Sequence, residues 1–166
     1  MKRILIFLLL VSLGQNVFSQ QGNDCKIEPF EAYINDTDTF SNIRVDPAGE
    51  ILFKVNNTYL DGWVMHIIEY ENGWFKIDNL SGVSGCEMSS FEGWVHGSIV
   101  GVSATYDLNV LDSPNGKTKL GTIKGENGDT FQILDAHCEW IKIKYNNLVG
   151  WVKSEEICGS PVTTCP

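Results

Sequence analysis

The chain has 166 residues, of which 12 are Lys or Arg and 21 are Asp or Glu, so its formal net charge is −9. With 43% hydrophobic and 20% charged residues, the composition is that of a globular protein. The acidic balance is a poor match for nucleic-acid phosphates or anionic lipid, so we expect no nucleic-acid partner. This length accommodates one ordinary domain or two very small ones.

The first 19 residues have the organisation of a secretory signal peptide. Lys2 and Arg3 precede an apolar run over residues 4–13, and Val17-Phe18-Ser19 supplies a cleavage site. The run is too short to cross a hydrocarbon core, which takes about 20 apolar residues. We therefore expect residues 1–19 to be removed, leaving 147 residues with a net charge of −11. The product would be secreted or periplasmic, with no membrane insertion.

All five cysteines follow the signal segment, in a part of the chain where oxidation is permitted. Cys158 and Cys165 bracket a short tail, so we predict a disulfide between them, with Cys25–Cys86 as a second candidate pair. The odd number leaves one thiol free or bonded to another chain. There is no C-x-x-C pair and no histidine at ligand spacing. We therefore expect no zinc site and no other metal or cofactor.

An internal repeat is the most informative feature of the sequence. Three blocks recur in the same order, with offsets of 67, 66 and 57 residues, and the first copy carries an extra stretch near residues 81–90. The copies span residues 31–100 and 101–158, and residues 159–166 form a C-terminal tail. The corresponding blocks are 42–49 with 109–116, 74–77 with 140–143, and 93–95 with 150–152.

Each copy has the pattern of short β-strands. Ile141, Ile143 and Tyr145 alternate with Lys142 and Lys144, which is the period of a half-buried strand. Asn-Gly pairs and prolines between the apolar segments indicate turns. No sustained helical period follows the signal segment. About five short strands per copy predict an all-β fold of two small β-barrels in tandem.

These blocks resemble the bacterial SH3-like (SH3b) domain. The resemblance rests on Asn-Gly-Trp-Phe-Lys-Ile at 72–77, on Gly-Trp-Val-His-Gly-Ser at 93–98, and on the block at 42–49. It implies two SH3-like barrels in an extracytoplasmic, non-catalytic protein that binds cell-wall peptides, other peptides or proteins. Related domains place a ligand-contacting Tyr after the Gly-Trp-Val strand, where this sequence has Ile99 and Glu156. That departure argues against polyproline recognition.

Strand alternation supplies candidate ligand-binding residues. If Phe75 and Ile77 point into the core, Trp74 points outward, and the same reasoning places Trp140 outward. For both tryptophans, covering a barrel end or the seam between the copies is the open alternative. The tryptophans of the two Gly-Trp-Val blocks are expected to pack in the core. Further aromatic residues that could rim a groove, or belong to the core, are Tyr33, Trp63, Tyr70 and Tyr106.

The sequence contains no recognisable catalytic constellation. Cys138 adjoins His137, but neighbours on a strand face opposite sides, so we do not expect them to act as nucleophile and base. His66 and His96 have no partner close in sequence. The two copies occupy most of these 166 residues and leave little room for a catalytic domain. We expect a binding module whose ligand is a cell-wall stem peptide or a protein segment.

Two other hypotheses stay open at this point. The chain could be an inhibitor or interaction module that docks on an exported enzyme through the unpaired cysteine or residues 81–90, or a spacer without a ligand. Residues 20–100 carry 4 basic and 13 acidic groups, whereas residues 101–166 carry 6 and 8. This asymmetry predicts that the copies have different roles or that only one binds.

Overall fold

The computed structural model describes residues 25–58, 62–83, 85, 87–125 and 129–160. The signal segment, Cys86 and Cys165 lie outside them. The described residues form twelve strands and two 3-10 turns, at Gly97–Ile99 and Ser154–Glu156, and none of their helices is long and apolar enough to cross a bilayer. The strands are β1 (Phe30–Ile34), β2 (Phe40–Arg44), β3 (Ile51–Asn56), β4 (Trp63–Glu71), β5 (Trp74–Gly82), β6 (Glu87–His96), β7 (Val100–Val102), β8 (Leu108–Leu111), β9 (Lys119–Ile123), β10 (Phe131–His137), β11 (Trp140–Tyr145) and β12 (Leu148–Lys153).

The strands pair into one open antiparallel sheet, so the prediction of an all-β fold is confirmed. Its order is β3-β2-β6-β5-β4-β1-β7-β10-β11-β12-β8-β9. The two halves meet where β1 pairs with β7, with Tyr33 opposite Gly101 and Ile34 opposite Val100. Counted outward from this junction, the first half runs 1-4-5-6-2-3 and the second 7-10-11-12-8-9. The same pairing scheme is therefore used twice, within a continuous sheet that ends at β3 and β9.

The strand registers place the aligned residues of the two halves at corresponding positions. Each block pairs with the equivalent partner strand in the two halves. The β2–β3 pair has a register shift after Ile43, and the β8–β9 pair has one at the equivalent position, after Val110. The corresponding cross-strand pairs are Trp74–His96 and Trp140–Lys153, Lys76–Trp94 and Lys142–Trp151, and Ile43–Phe53 and Val110–Gly121.

The extra stretch of the first half is mostly strand rather than an inserted loop. β5 extends to Gly82 and β6 begins at Glu87, so both exceed their counterparts β11 and β12 in length. Ser81 pairs with Glu87 in this added part of the hairpin. The first half therefore projects a longer β5–β6 hairpin than the second.

The β4–β5 turn corresponds to the β10–β11 turn, and both central residues differ, with Cys138 and Glu139 in the places of Asn72 and Gly73. The β4–β5 turn has Asn72 at φ 48° and Gly73 at φ 86°, the positive values that a two-residue type I′ turn requires. In the corresponding β10–β11 turn Cys138 stands in the place of Asn72, at φ 56°. A cysteine thus occupies a left-handed backbone position that asparagine tolerates better.

The core lies on one face of each half. Phe75 and Ile77 are fully buried, as alternation predicts. In the Gly-Trp-Val blocks the fully buried core residue is the valine. Of the two tryptophans expected in the core, Trp94 is buried, whereas Trp151 is only half-buried, so the expectation is wrong for Trp151. Valine follows tryptophan in the strand, so the two side chains point to opposite faces.

The glycine of each Gly-Trp-Val block allows two strands to approach closely. A Cβ on Gly93 would lie 2.4 Å from Cγ2 of Ile43, and one on Gly150 would lie 2.5 Å from the carbonyl oxygen of Leu111 and 2.6 Å from Cγ1 of Val110. Only glycine fits at these positions without displacing β2 or β8.

Candidate functional site

A cleft of about 330 Å³ opens beside the indole of Trp74 in the first half. Its volume is within the range of small-ligand sites. The lining residues come from the β1–β2 loop, β2, the first residue of β5, the last residue of β6 and the 3-10 turn that follows. They are Asp36, Asp38, Phe40, Asn42, Arg44, Trp74, His96 and Ile99.

β2 supplies one wall of this cleft through strict alternation. Phe40, Asn42 and Arg44 line the cleft, whereas Ser41 and Ile43 between them are buried. Successive side chains of a strand point to opposite faces, so one five-residue strand serves both the core and the cleft. The sequence of β2 does not predict this wall, because the apolar Phe40 faces the cleft and the polar Ser41 is buried.

Trp74 is half-buried and is held between two basic side chains. Its ring packs edge-on against the imidazole of His96, with ring centroids 4.9 Å apart and an interplanar angle of 69°. The guanidinium carbon of Arg44 lies 5.9 Å from the centre of the Trp74 ring, within the range of a cation–π contact. Nη1 of Arg44 also donates to the carbonyl oxygen of Gly49 at 2.6 Å. These contacts fix the indole in place and leave part of it open to the cleft.

The β1–β2 loop brings carboxylates to the same cleft. Oδ1 of Asp36 accepts from the backbone N–H of Asp38 at 3.0 Å, and Oδ2 accepts from the Ser41 hydroxyl at 2.7 Å. Asp36 therefore shapes the loop, and the exposed Asp38 remains available to a ligand. The cleft offers both signs of charge around an aromatic surface.

The second half carries different residues at positions that correspond to the lining of this cleft. Leu111 takes the place of Arg44 opposite the Gly-Trp-Val tryptophan, and Lys153 takes the place of His96 opposite the first tryptophan of the hairpin. Trp140 corresponds to Trp74 but is only 6% exposed. The expectation that Trp140 presents an open face is therefore wrong, because alternation sets the face of the sheet and not whether other chain segments cover it.

The other aromatic candidates do not join Trp74 in a single groove. Tyr33 is 4% exposed, its hydroxyl donates to Oγ1 of Thr130 at 2.7 Å, and burial raises its pKa. Trp63 is in the main hydrophobic cluster, with its Nε1–H donating to the carbonyl oxygen of Asn56 at 2.9 Å. Both therefore have structural roles.

Tyr70 is half-buried, whereas Tyr106 is exposed. Tyr70 packs on Phe75 with ring centroids 4.9 Å apart. Burial, reinforced by the neighbouring Asp135 carboxylate, raises the Tyr70 pKa to about 12. The side-chain hydrogen bond between Tyr70 and Asp135 joins the first half to β10 of the second. Tyr106 is 65% exposed and lies away from the Trp74 cleft.

A second polar cleft, of about 310 Å³, contains a histidine–carboxylate pair that the sequence analysis missed. Nδ1 of His66 lies 2.8 Å from Oδ1 of Asp78, and Glu31 pairs with His66 across β1 and β4. His66 was predicted to have no partner close in sequence, and its partner Asp78 comes from the neighbouring strand, twelve positions further on. A hairpin folded about the Asn72-Gly73 turn places these two residues nearly opposite each other, and that symmetry was the signal in the sequence. His96 likewise has a partner, since its Nδ1 lies 2.7 Å from the Ser98 hydroxyl.

The structure changes the disulfide assignment. Cys25 bonds Cys138, with Cα atoms 5.4 Å apart and 113 positions between them in sequence. The Cys25–Cys86 candidate is therefore wrong. Cys158 is also disulfide-bonded, but Cys165 lies outside the described residues, so the predicted Cys158–Cys165 pair stays a prediction. Cys158 lies in the strand-like segment that bridges to Ser103 and completes the pairing of the second half.

Comparison with known proteins gives distant structural similarity. No family model and no curated protein matches the chain. Among solved structures, NlpC1 from Trichomonas vaginalis matches at 12% identity and a TM-score of 0.33, covering 79% of this chain and 46% of that one. NlpC2 from the same organism matches at 13% identity and a TM-score of 0.31, covering 78% and 48%. The chain thus spans about half the length of these two NlpC proteins.

Proposed function

We propose that this chain is an exported, non-catalytic peptide-binding protein built from two SH3-like modules, residues 31–100 and 101–158, behind a signal peptide at residues 1–19. The cleft at Trp74 in the first module is the binding site, and its ligand is a cell-wall stem peptide. The observation that carries the proposal is a half-buried indole flanked by Arg44 and His96 in a cleft that also holds Asp38.

The repeated pairing scheme supports two modules. Each half has the same strand order, a left-handed residue at the same two turn positions and a 3-10 turn after the Gly-Trp-Val strand. The left-handed residues are Ala48 and Asn72 in the first half and Asn115 and Cys138 in the second. β7 follows the first 3-10 turn and pairs with β1, and the segment at Cys158 follows the second and bridges to Ser103. In both halves the segment after the 3-10 turn thereby returns to the start of that half, and β7 is at the same time the first strand of the second half.

The chemistry of the cleft supports a peptide rather than a purely apolar ligand. A stem peptide presents free amino and carboxylate groups, which Asp38 and Arg44 complement. Its short side chains can lie against the exposed part of the Trp74 ring, where burial of apolar surface adds to affinity. Ile99 lines the cleft at the position where related SH3-like domains carry a ligand-contacting Tyr. This cleft therefore lacks one aromatic ridge of a polyproline groove.

Export is supported by the disulfides. Bonded cysteines at 25, 138 and 158 are compatible with an oxidising compartment.

Sedimentation with insoluble peptidoglycan tests the proposal. The purified chain should co-sediment, and soluble stem peptide should release it. Trp74→Ala should stay in the supernatant, whereas Trp151→Ala should sediment normally, because Trp151 is a half-buried tryptophan with a lysine neighbour outside the cleft. Equal sedimentation of the Trp74→Ala protein would refute this site.

A second candidate function is docking on an exported protein through the long β5–β6 hairpin. Val83 and Met88 are each 36% exposed near its tip, where the second half has only a short turn. A protein partner captured by the wild-type chain, but lost with Val83→Ser/Met88→Ser and retained with Trp74→Ala, would support this alternative.

A further inference from the structure

Three potential metal ligands lie together on the surface at the β10–β11 turn. Sγ of Cys25, Sγ of Cys138 and a ring nitrogen of His137 all lie within 4.8 Å of one another. Cys25 and His137 are exposed and Cys138 is half-buried. A cleft of about 480 Å³, lined in part by Cys25, Lys26 and Ala136, opens beside them. The cluster is therefore accessible to small solutes.

The backbone of the turn explains why neighbouring side chains converge. His137 is the last residue of β10, and Cys138 is the first residue of the turn, with φ 56°. The alternation that separates neighbours within a strand does not extend into this left-handed residue. The expectation that His137 and Cys138 face apart is therefore wrong.

A backbone hydrogen bond also holds the segment of Cys25 close to the β10–β11 turn, independently of the disulfide. The backbone N–H of Glu28 donates to the carbonyl oxygen of Cys138 at 3.0 Å. Two residues further on, Phe30 begins β1, which pairs with β4 and β7. Cys25 is thus tethered near the turn when its bond to Cys138 is open.

Two thiolates and one imidazole are a ligand set that Zn²⁺ favours, and three protein ligands leave a fourth position open. In the oxidised protein both sulfurs are used by the disulfide, so neither is available as a thiolate. The same atoms can therefore serve as a covalent cross-link or as a metal site, but not as both.

We propose that Cys25, Cys138 and His137 form a redox-gated zinc site. A dithiol reductant donates two electrons and two protons, the S–S bond breaks, and the reductant leaves as its own disulfide. Binding of Zn²⁺ then displaces the two thiol protons to solvent, and the neutral imidazole completes three ligands. The oxidised chain does not bind the ion. This proposal is independent of the peptide site.

The test is a zinc titration of the full chain in both redox states, against a chromogenic chelator and without oxygen. We expect one Zn²⁺ per chain after reduction and none before it. Co²⁺ in place of Zn²⁺ should give a thiolate-to-cobalt charge-transfer band. His137→Ala should weaken binding by roughly tenfold or more, since one of three ligands is lost. His66→Ala, which removes an exposed histidine outside the cluster, should bind normally.

Cys25→Ser separates this site from the other thiols that reduction releases. We expect the reduced Cys25→Ser protein to lose both the tight zinc binding and the charge-transfer band. The proposal is overturned if Cys25→Ser retains them, if oxidised and reduced chains bind equally, or if the reduced chain binds no zinc. Circular dichroism follows the fold throughout. A reduced chain that unfolds and is not restored by Zn²⁺ would also contradict the proposal.

Discussion

Trp74 and Trp140 occupy the same register position in the two halves, each at the start of the second strand of a hairpin, but Trp74 lines a cleft and Trp140 is 6% exposed. Arg44 and His96 flank the first ring, and Lys153 lies 6.0 Å from the second, which is buried. The strand framework is the same in the two halves, while the residues around the ring differ. The two halves are therefore matched in architecture and different in surface chemistry, which gives internal references for mutagenesis.

Replacing Arg44 by the residue of the second half should weaken ligand binding without unfolding the protein. Arg44→Leu copies Leu111 and removes the cation beside Trp74. We expect stem-peptide affinity to fall by up to about fivefold, the effect of losing one exposed charge pair with the ligand carboxylate. Calorimetric titration measures it, and Lys142→Leu, which removes the cation beside Trp151, is the matched control. Equal losses in the two variants would show that the effect is not local to the cleft.

Gly93→Ala should destabilise the first half. The added Cβ would lie 2.4 Å from Cγ2 of the fully buried Ile43, so β2 or its core side chain must shift. Overpacking of this kind costs about 1–3 kcal/mol. Urea denaturation measures the loss. Gly121→Ala is the comparison, because its Cβ would meet only the flexible end of Leu148 at 3.0 Å and should cost less. A Gly93→Ala protein as stable as wild type would contradict the close approach.

Removing the Cys25–Cys138 disulfide should lower stability and leave the fold intact. The bond ties the start of the described chain to the β10–β11 turn across 113 positions, so it restricts the unfolded chain strongly. For the Cys25→Ser/Cys138→Ser protein we expect a loss of about 2–5 kcal/mol in the free energy of unfolding. Denaturation at neutral pH without reductant measures it. A change below the experimental error would mean that the cross-link has little effect on the unfolded ensemble.

The contact between Tyr70 and Asp135 should produce an alkaline loss of stability. Burial, with the Asp135 carboxylate, raises the Tyr70 pKa from 10.0 to about 12 in the folded protein. The unfolded chain therefore ionises first as the pH rises. The stabilisation is complete below pH 10 and is lost between pH 10 and 12. In that window Tyr70→Phe should lose stability less steeply than wild type in urea titrations. Parallel curves would contradict the assigned environment.

The repeat was the part of the fold that the sequence revealed best. Block alignment gave the corresponding strands because residues such as Phe75 and Ile77 must alternate with polar neighbours to fill a core. The Cys25–Cys138 bond could not be foreseen, since it depends on β1 pairing with β7 and bringing the two halves together. Local sequence patterns do not indicate which strands distant in sequence pair with each other.

The candidate site was only partly accessible from the sequence. Trp74 was identified by strand parity, but Arg44 and His96 join it through pairings of β2 with β6 and of β5 with β6. Strand alternation also did not predict that the Trp140 side chain is buried. Which face a side chain takes is a local property, whereas the solvent it meets on that face depends on segments from elsewhere in the chain.

Tryptophan fluorescence during titration with a soluble cell-wall stem peptide tests the central claim most directly. In wild type and in Trp151→Ala we predict a saturable change in emission with the same dissociation constant. In Trp74→Ala we predict no saturable change, together with a melting temperature within error of wild type. Binding by Trp74→Ala at wild-type affinity, or the absence of any saturable response in the wild-type chain, would contradict the assignment of this cleft as the peptide site.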